Sequence, residues 1–141
     1  MSSLDSAPFG MVPPEHLEAS WGRIAPFIQR AILESAVQSD TTDDILRQSL
    51  DGESQVWVYG SPDNIKLVVT TKIKSFDNYG MVCLLEYTAG EDLAICQHVF
   101  SKLKQWSEDV GCRKIIMYGR DGWRRVLASL GVKPVGTIYE G

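Results

Sequence analysis

Apolar residues recur along this chain with two periods, and the change of period at Gln55 divides it. Behind Pro13-Pro14, Leu17, Trp21 and Ile24 stand at helical spacing, and proline suits the first turn of a helix. Pro26 predicts a break or kink, after which Phe27, Ile28, Ala31, Ile32 and Val37 carry a second helical stripe. Thr41-Thr42-Asp43-Asp44 is a capping signature ahead of a short helix over Ile45 to Leu50. From Gln55 the residues are β-formers. "QVWVYG" leads into the turn "SPDN", and "IKLVVTTKIKSF" (Ile65 to Phe76) partly alternates apolar and polar residues. "FDNYG" then turns the chain into a third strand, Met81 to Thr88. Turns this short predict an antiparallel meander.

The helical period returns with Leu93, Cys96, Val99, Phe100, Leu103, Trp106 and Val110, a stripe of about five turns. Gly111 stops it, and "KIIMY" (Lys114 to Tyr118) follows as a short strand. A helix-sized crossover of this kind favours parallel pairing. A short helix from Trp123 to Leu130 ends at Gly131, and "PVGTIYE" (Pro134 to Glu140) reads as the last strand. Residues 1–12 have no periodicity and read as a tail, which leaves 13–141 as a single domain. The predicted order is α-α-α-β-β-β-α-β-α-β. That is an α+β fold with a mixed, mostly antiparallel central sheet flanked by helices.

Composition narrows the function classes. A chain of 141 residues with 44% hydrophobic and 23% charged residues can bury one core. A net charge of −4 argues against nucleic acid or an anionic membrane as partner. No apolar run approaches the roughly 20 residues of a membrane span. "MSSLDSAPFGMVPPEH" lacks the basic and apolar regions of a signal peptide, so a cytoplasmic location is expected. Cys83, Cys96 and Cys112 form no metal-type spacing with His16 or His98 and read as reduced, buried thiols. Both histidines read as solvated, and no Ser/His/Asp or Cys/His arrangement can be assembled around them.

Two stretches carry candidate chemistry. "EYTAGEDLAI" (Glu86 to Ile95) runs from a strand through a glycine turn into a helix, where free backbone N–H groups attract anions. Thr88, Ala89, Gly90, Glu91 and Asp92 would form such a cradle. Glu91 and Asp92 instead fit an acidic cap that stabilises its own helix and competes with an anion for the same amides. The second stretch is Arg120-Asp121-Gly122-Trp123-Arg124-Arg125. Its arginines oppose the dipole of a starting helix, so either they pair with acids, or Arg120, Trp123, Arg124 and Arg125 meet a protein partner or a phosphate.

"CRKIIMY" and "RRVLASLGVKPVGTIYE" resemble the ending of the GCN5-related N-acetyltransferase superfamily. "TAGEDL", Trp106, Gly111-Cys112 and "GRDGW" resemble small acetyltransferase-like proteins encoded by bacteriophages. The resemblance spans residues 14–140 in topology and about the last half in local pattern. It implies a splayed sheet that holds acetyl-CoA, with the pyrophosphate on an Arg/Gln-x-x-Gly-x-Gly/Ala loop at the start of the central helix. It also implies a carboxylate or water as base and a tyrosine that protonates the leaving thiolate. Here the loop falls on the stretch from Glu86, which lacks the arginine or glutamine and the second glycine. The tyrosine position falls on Leu127 and the family's asparagine near Arg120, with Tyr118 and Tyr139 close by in sequence. Glu86 is the candidate general base, or else an edge carboxylate held by solvent or an arginine.

The resulting expectation is an acetyltransferase-like protein without catalysis or cofactor, acting as a virion-associated, assembly or interaction protein in a host cytoplasm or virion. The alternative is an acetyl-CoA-dependent N-acetyltransferase that holds its cofactor at Thr88 to Asp92 and uses Glu86 or a water as base. A protein partner is expected, and a membrane or nucleic acid is not.

Overall fold

Segments of period two joined by short turns pair in sequence order, while the helical stripes bury themselves on the two sheet faces. The computed structural model describes residues 9–35, 40–61, 63–78, 80–90, 93–118, 124–136, 139 and 141. In chain order the elements are β1 (Phe9–Met11), α1 (Pro14–Glu34), α2 (Thr42–Leu50), β2 (Gln55–Ser61) and β3 (Asn64–Phe76). They are followed by β4 (Gly80–Gly90), α3 (Leu93–Asp109), β5 (Lys114–Met117) and α4 (Arg124–Ala128). The five strands lie in the order β1-β2-β3-β4-β5. Neighbours are antiparallel except β4 and β5, which are parallel, as the meander and the crossover predicted.

Each sheet face has its own core. Leu17, Trp21, Ile24, Ile28 and Ile32 of α1 pack on Val56, Val68, Tyr87 and Ala89. Cys96, Val99, Phe100 and Leu103 of α3 pack on the opposite face, against Trp57, Leu67, Val69, Cys83 and Leu85. All three cysteines are buried, as expected, and none is in a disulfide. The capping signature is a reciprocal box in which the Asp44 carboxylate accepts from the Thr41 N–H at 2.9 Å and the Thr41 hydroxyl from the Asp44 N–H at 3.2 Å. The Thr41 backbone hydrogen bond holds the Asp44 carboxyl below its ordinary range.

The element order departs from the predicted one in four places. Pro26 does not break α1, which runs unbroken through it. The carbonyl that a proline ring disturbs belongs to the residue four earlier, here Gly22. Both residues are on the exposed side of the helix, where water can satisfy that carbonyl. Two helices therefore precede β2 rather than three. Phe9–Met11, read as tail, is a strand on β2, with Phe9 stacked on Trp57 at a centroid distance of 5.6 Å. Three residues are too few to show a period. β4 continues through Thr88, Ala89 and Gly90, which pair with Val69, Val68 and Leu67, so the expected glycine turn is strand. The expected last strand is absent over 134–136, where Val135 is 86% exposed, because β propensity makes no strand without a partner to pair with. Residues 137, 138 and 140 lie outside the described residues.

Candidate active site

The site is the place where the sheet opens. β5 follows β4 over Val82 to Leu85, opposite Lys114 to Met117, and the last contact is the Tyr118 N–H donating to the Leu85 carbonyl at 3.4 Å. From Glu86 onward β4 keeps β3 on one side, and among the described residues nothing pairs with its other edge.

Glu86 is also the extra residue of a β-bulge: Thr71 faces Leu85 and Thr70 faces Tyr87, with nothing opposite Glu86. An extra residue reverses the alternation beyond it. Cys83 and Leu85 therefore lie in the α3-side core, whereas Tyr87 and Ala89 lie in the α1-side core. Thr88 consequently faces α3. Among the described residues it is the polar side chain lining a small, partly open apolar cavity of about 20 Å³ between Leu85, Met117, Phe100, Leu127 and Leu130.

The α1 face of the opening is polar. Lys72 lies between Thr71 and Ile73, which serve the α3 side, so it points to the α1 side. There its Nζ is 3.2 Å from Glu86 Oε1, with side-chain exposures of 17% and 15%. That oxygen is buried and the ammonium is out of line for a hydrogen bond to it. The neighbouring Tyr87 donates its hydroxyl to the Asp40 carboxylate at 2.6 Å. Glu86 is thus held by a lysine rather than by solvent or an arginine, and it stands mid-strand rather than at a strand end.

The other anticipated residues separate. Ala89 is buried against α1, and Gly90 is filled tightly by β3, since a Cβ there would meet the Leu67 side chain and stand 2.9 Å from the Lys66 carbonyl. Glu91, Asp92, Arg120 and Trp123 lie outside the described residues. Arg124 and Arg125 open α4 and are exposed. Leu127, at the position where the resemblance implies a tyrosine, lines the apolar cavity and has no proton to give. Tyr118 stands one residue past β5 at the lip of the opening and is 63% exposed, while Tyr139 is 89% exposed. His16 is exposed as expected. His98 instead packs edge-on to Tyr59 at 6.4 Å with its Nε2 buried and without a hydrogen bond. No metal-binding cluster occurs among the described residues, and no described helix is long and apolar enough to cross a membrane.

Sequence reasoning missed Lys72, Thr70 and Asp40. Lys72 was visible as one polar position in "TTKIKSF", but its partner depends on a bulge that no local pattern announces.

No protein-family model matches the chain, and no curated protein matches its sequence. Solved structures match its fold over nearly their whole length. A GCN5-related N-acetyltransferase from Ralstonia eutropha JMP134 superposes with a TM-score of 0.75 at 10% identity, covering 96% of this chain and 98% of that one. A predicted acetyltransferase with acetyl-CoA from Clostridium acetobutylicum gives 0.71 at 10% identity, covering 95% and 94%. An aminoglycoside acetyltransferase from an uncultured soil metagenomic sample, in complex with sisomicin, gives 0.71 at 8% identity, covering 99% of each chain. Similarity at such low identity is a statement about fold. The chain has the mixed α+β fold of the GCN5-related N-acetyltransferases.

Proposed function

We propose that this protein binds acetyl-CoA in the opening between β4 and β5 and transfers its acetyl group to an amine. The observation that carries the reading is the parting of β5 from β4 beyond Leu85 among the described residues, with the Glu86 carboxylate as the next residue of β4. A free strand edge offers N–H and C=O groups to an extended amide-bearing ligand, as in strand addition. Such an edge fits the amide chain of the cofactor. The pyrophosphate would have to rest on backbone amides near Gly90, since the stretch has no arginine or glutamine for it.

Acetyl-CoA, when bound, supplies an acetyl group already activated as a thioester. Glu86, or a water that it orients, takes the proton of the incoming amine. Tyr118, exposed at the lip, would give a proton to the departing sulfur. A thiol is far more acidic than an alcohol, so a thiolate leaves at neutral pH with little help. Leucine at 127 is therefore compatible with turnover.

Calorimetric titration of the purified chain with acetyl-CoA tests the reading. Saturable binding is expected, and no heat up to millimolar cofactor would overturn it.

A second reading rests on the Lys72–Glu86 pair and on Leu127. A base tied to a lysine and an absent acid suit an acetyltransferase-like protein that has lost catalysis and acts through its surface. It would be an assembly or interaction protein, virion-associated in the phage-like case, with Arg124 and Arg125 in the contact. Charge reversal at these arginines should then release a partner captured by the wild-type chain from lysate or particles, and retention of that partner would exclude the patch.

A further inference from the structure

We propose that Lys72 is an acetylation site of the protein itself, modified within its own opening with Glu86 as base. The inference rests on the acetyl-CoA reading. Nucleophile and base already stand together, with Lys72 Nζ 3.2 Å from Glu86 Oε1. The base occupies the first position at which β4 is free of β5, which is where a ligand along that edge begins. The contact is not an aligned hydrogen bond, so the ammonium is held by charge alone on that oxygen.

The step balances without a further reagent. The Lys72 ammonium gives one proton to the Glu86 carboxylate, and the free amine attacks the thioester carbonyl carbon. The C–N bond forms, the C–S bond breaks, and the sulfur leaves with the electron pair as CoA thiolate. The second proton on nitrogen passes to the thiolate or to solvent. Burial makes the claim selective. Lys66, Lys74, Lys102 and Lys104 are exposed, whereas the Lys72 side chain is 17% exposed, so unguided acetylation would reach Lys72 last.

The test incubates the full chain with acetyl-CoA and follows acetylation at every lysine by mass spectrometry, beside K72R, E86Q and the urea-unfolded chain. Calorimetry runs in parallel. Proximity predicts that folded chain gains one acetyl group at Lys72 about tenfold or more faster than at any exposed lysine. E86Q loses the modification, and unfolding abolishes the preference. Acetylation that follows exposure, or an unmodified Lys72 in a chain that calorimetry shows to bind acetyl-CoA, overturns the inference and leaves the binding reading intact. A chain that neither binds nor is modified overturns both.

A readout without cofactor tests the pair itself. K72Q, which mimics the acetylated side chain, should unfold at lower urea than K72R, because Glu86 then has no counter-charge. Equal midpoints for K72Q and K72R would show that the pair does not form in solution and would remove the basis of the proposal.

Discussion

The hydroxyl of Thr70 accepts a hydrogen bond from the backbone N–H of Tyr87 at 3.2 Å, and both residues are buried. At the bulge the register of β3 against β4 shifts, and the Thr70 side chain is an acceptor for the Tyr87 N–H there. The same shift turns Tyr87 toward α1 and leaves Glu86 at the mouth of the opening. One side-chain oxygen thereby ties the register of the sheet to the geometry of the site.

Replacing Thr70 with valine keeps the shape and removes this buried hydrogen bond. Urea denaturation should show a loss of about 1–3 kcal/mol. Thr70→Ser keeps the acceptor and should lose less. Equal losses in the two variants would mean that the methyl group, not the hydrogen bond, matters.

Gly90 looks from the sequence like a place where a ligand approaches the backbone. The strand pairing gives it a different reason, because a Cβ there runs into the Leu67 side chain and the Lys66 carbonyl. Gly90→Ala should destabilise the fold by about 1–3 kcal/mol, the usual penalty for overpacking. Gly22→Ala meets nothing within 4 Å and should not be destabilising. If G90A melts like wild type, β3 and β4 are less tightly packed than described. Loss of cofactor binding in G90A is interpretable only alongside that melting curve.

Burial, reinforced by the neighbouring Cys112 thiol, pushes the Cys83 thiol up to about 12, and burial raises Cys112 as well. Both groups stay neutral in the fold, while an unfolded chain ionises them above the ordinary value of 9.0. The unfolded state then binds fewer protons, so stability falls as pH rises past that value. Urea midpoints between pH 8 and pH 10 should drop, and the drop should be smaller in Cys83→Ala. Iodoacetamide should label neither thiol in native protein at pH 8 and should label both in urea. Prompt native labelling of Cys83 would contradict its burial.

Much of the fold was legible because it is written in local period. The Val68–Val69 and Leu84–Leu85 runs, the α3 stripe and the Gly111 stop each point to one element. What failed was what depends on partners. Phe9–Met11 is a strand only because β2 offers an edge and Trp57 a stacking face. Pro26 is tolerated because the disturbed carbonyl faces water. Of the site, Glu86 could be singled out as a carboxylate on a strand. Lys72 could not be given as its partner, because the bulge that sets their register is a tertiary adjustment.

Glu86→Gln separates binding from chemistry. The substitution keeps the side chain's size and an oxygen near Lys72, and it leaves the β4 edge unchanged. Acetyl-CoA affinity should therefore stay close to that of wild type, while acetyl transfer to any amine the protein accepts should fall by about 10²-fold or more, the scale of a lost general base. Tyr118→Phe should behave differently. The tyrosine stands at the exposed lip, and the thiolate it would serve is already a good leaving group at neutral pH, so a loss below about tenfold is expected. The two variants measured together rank the roles. A large effect of Y118F with a small one of E86Q would move the essential proton transfer from the amine to the sulfur. Equal transfer by E86Q and wild type would leave the carboxylate at the mouth of the sheet with only its ion pair to Lys72 as a role.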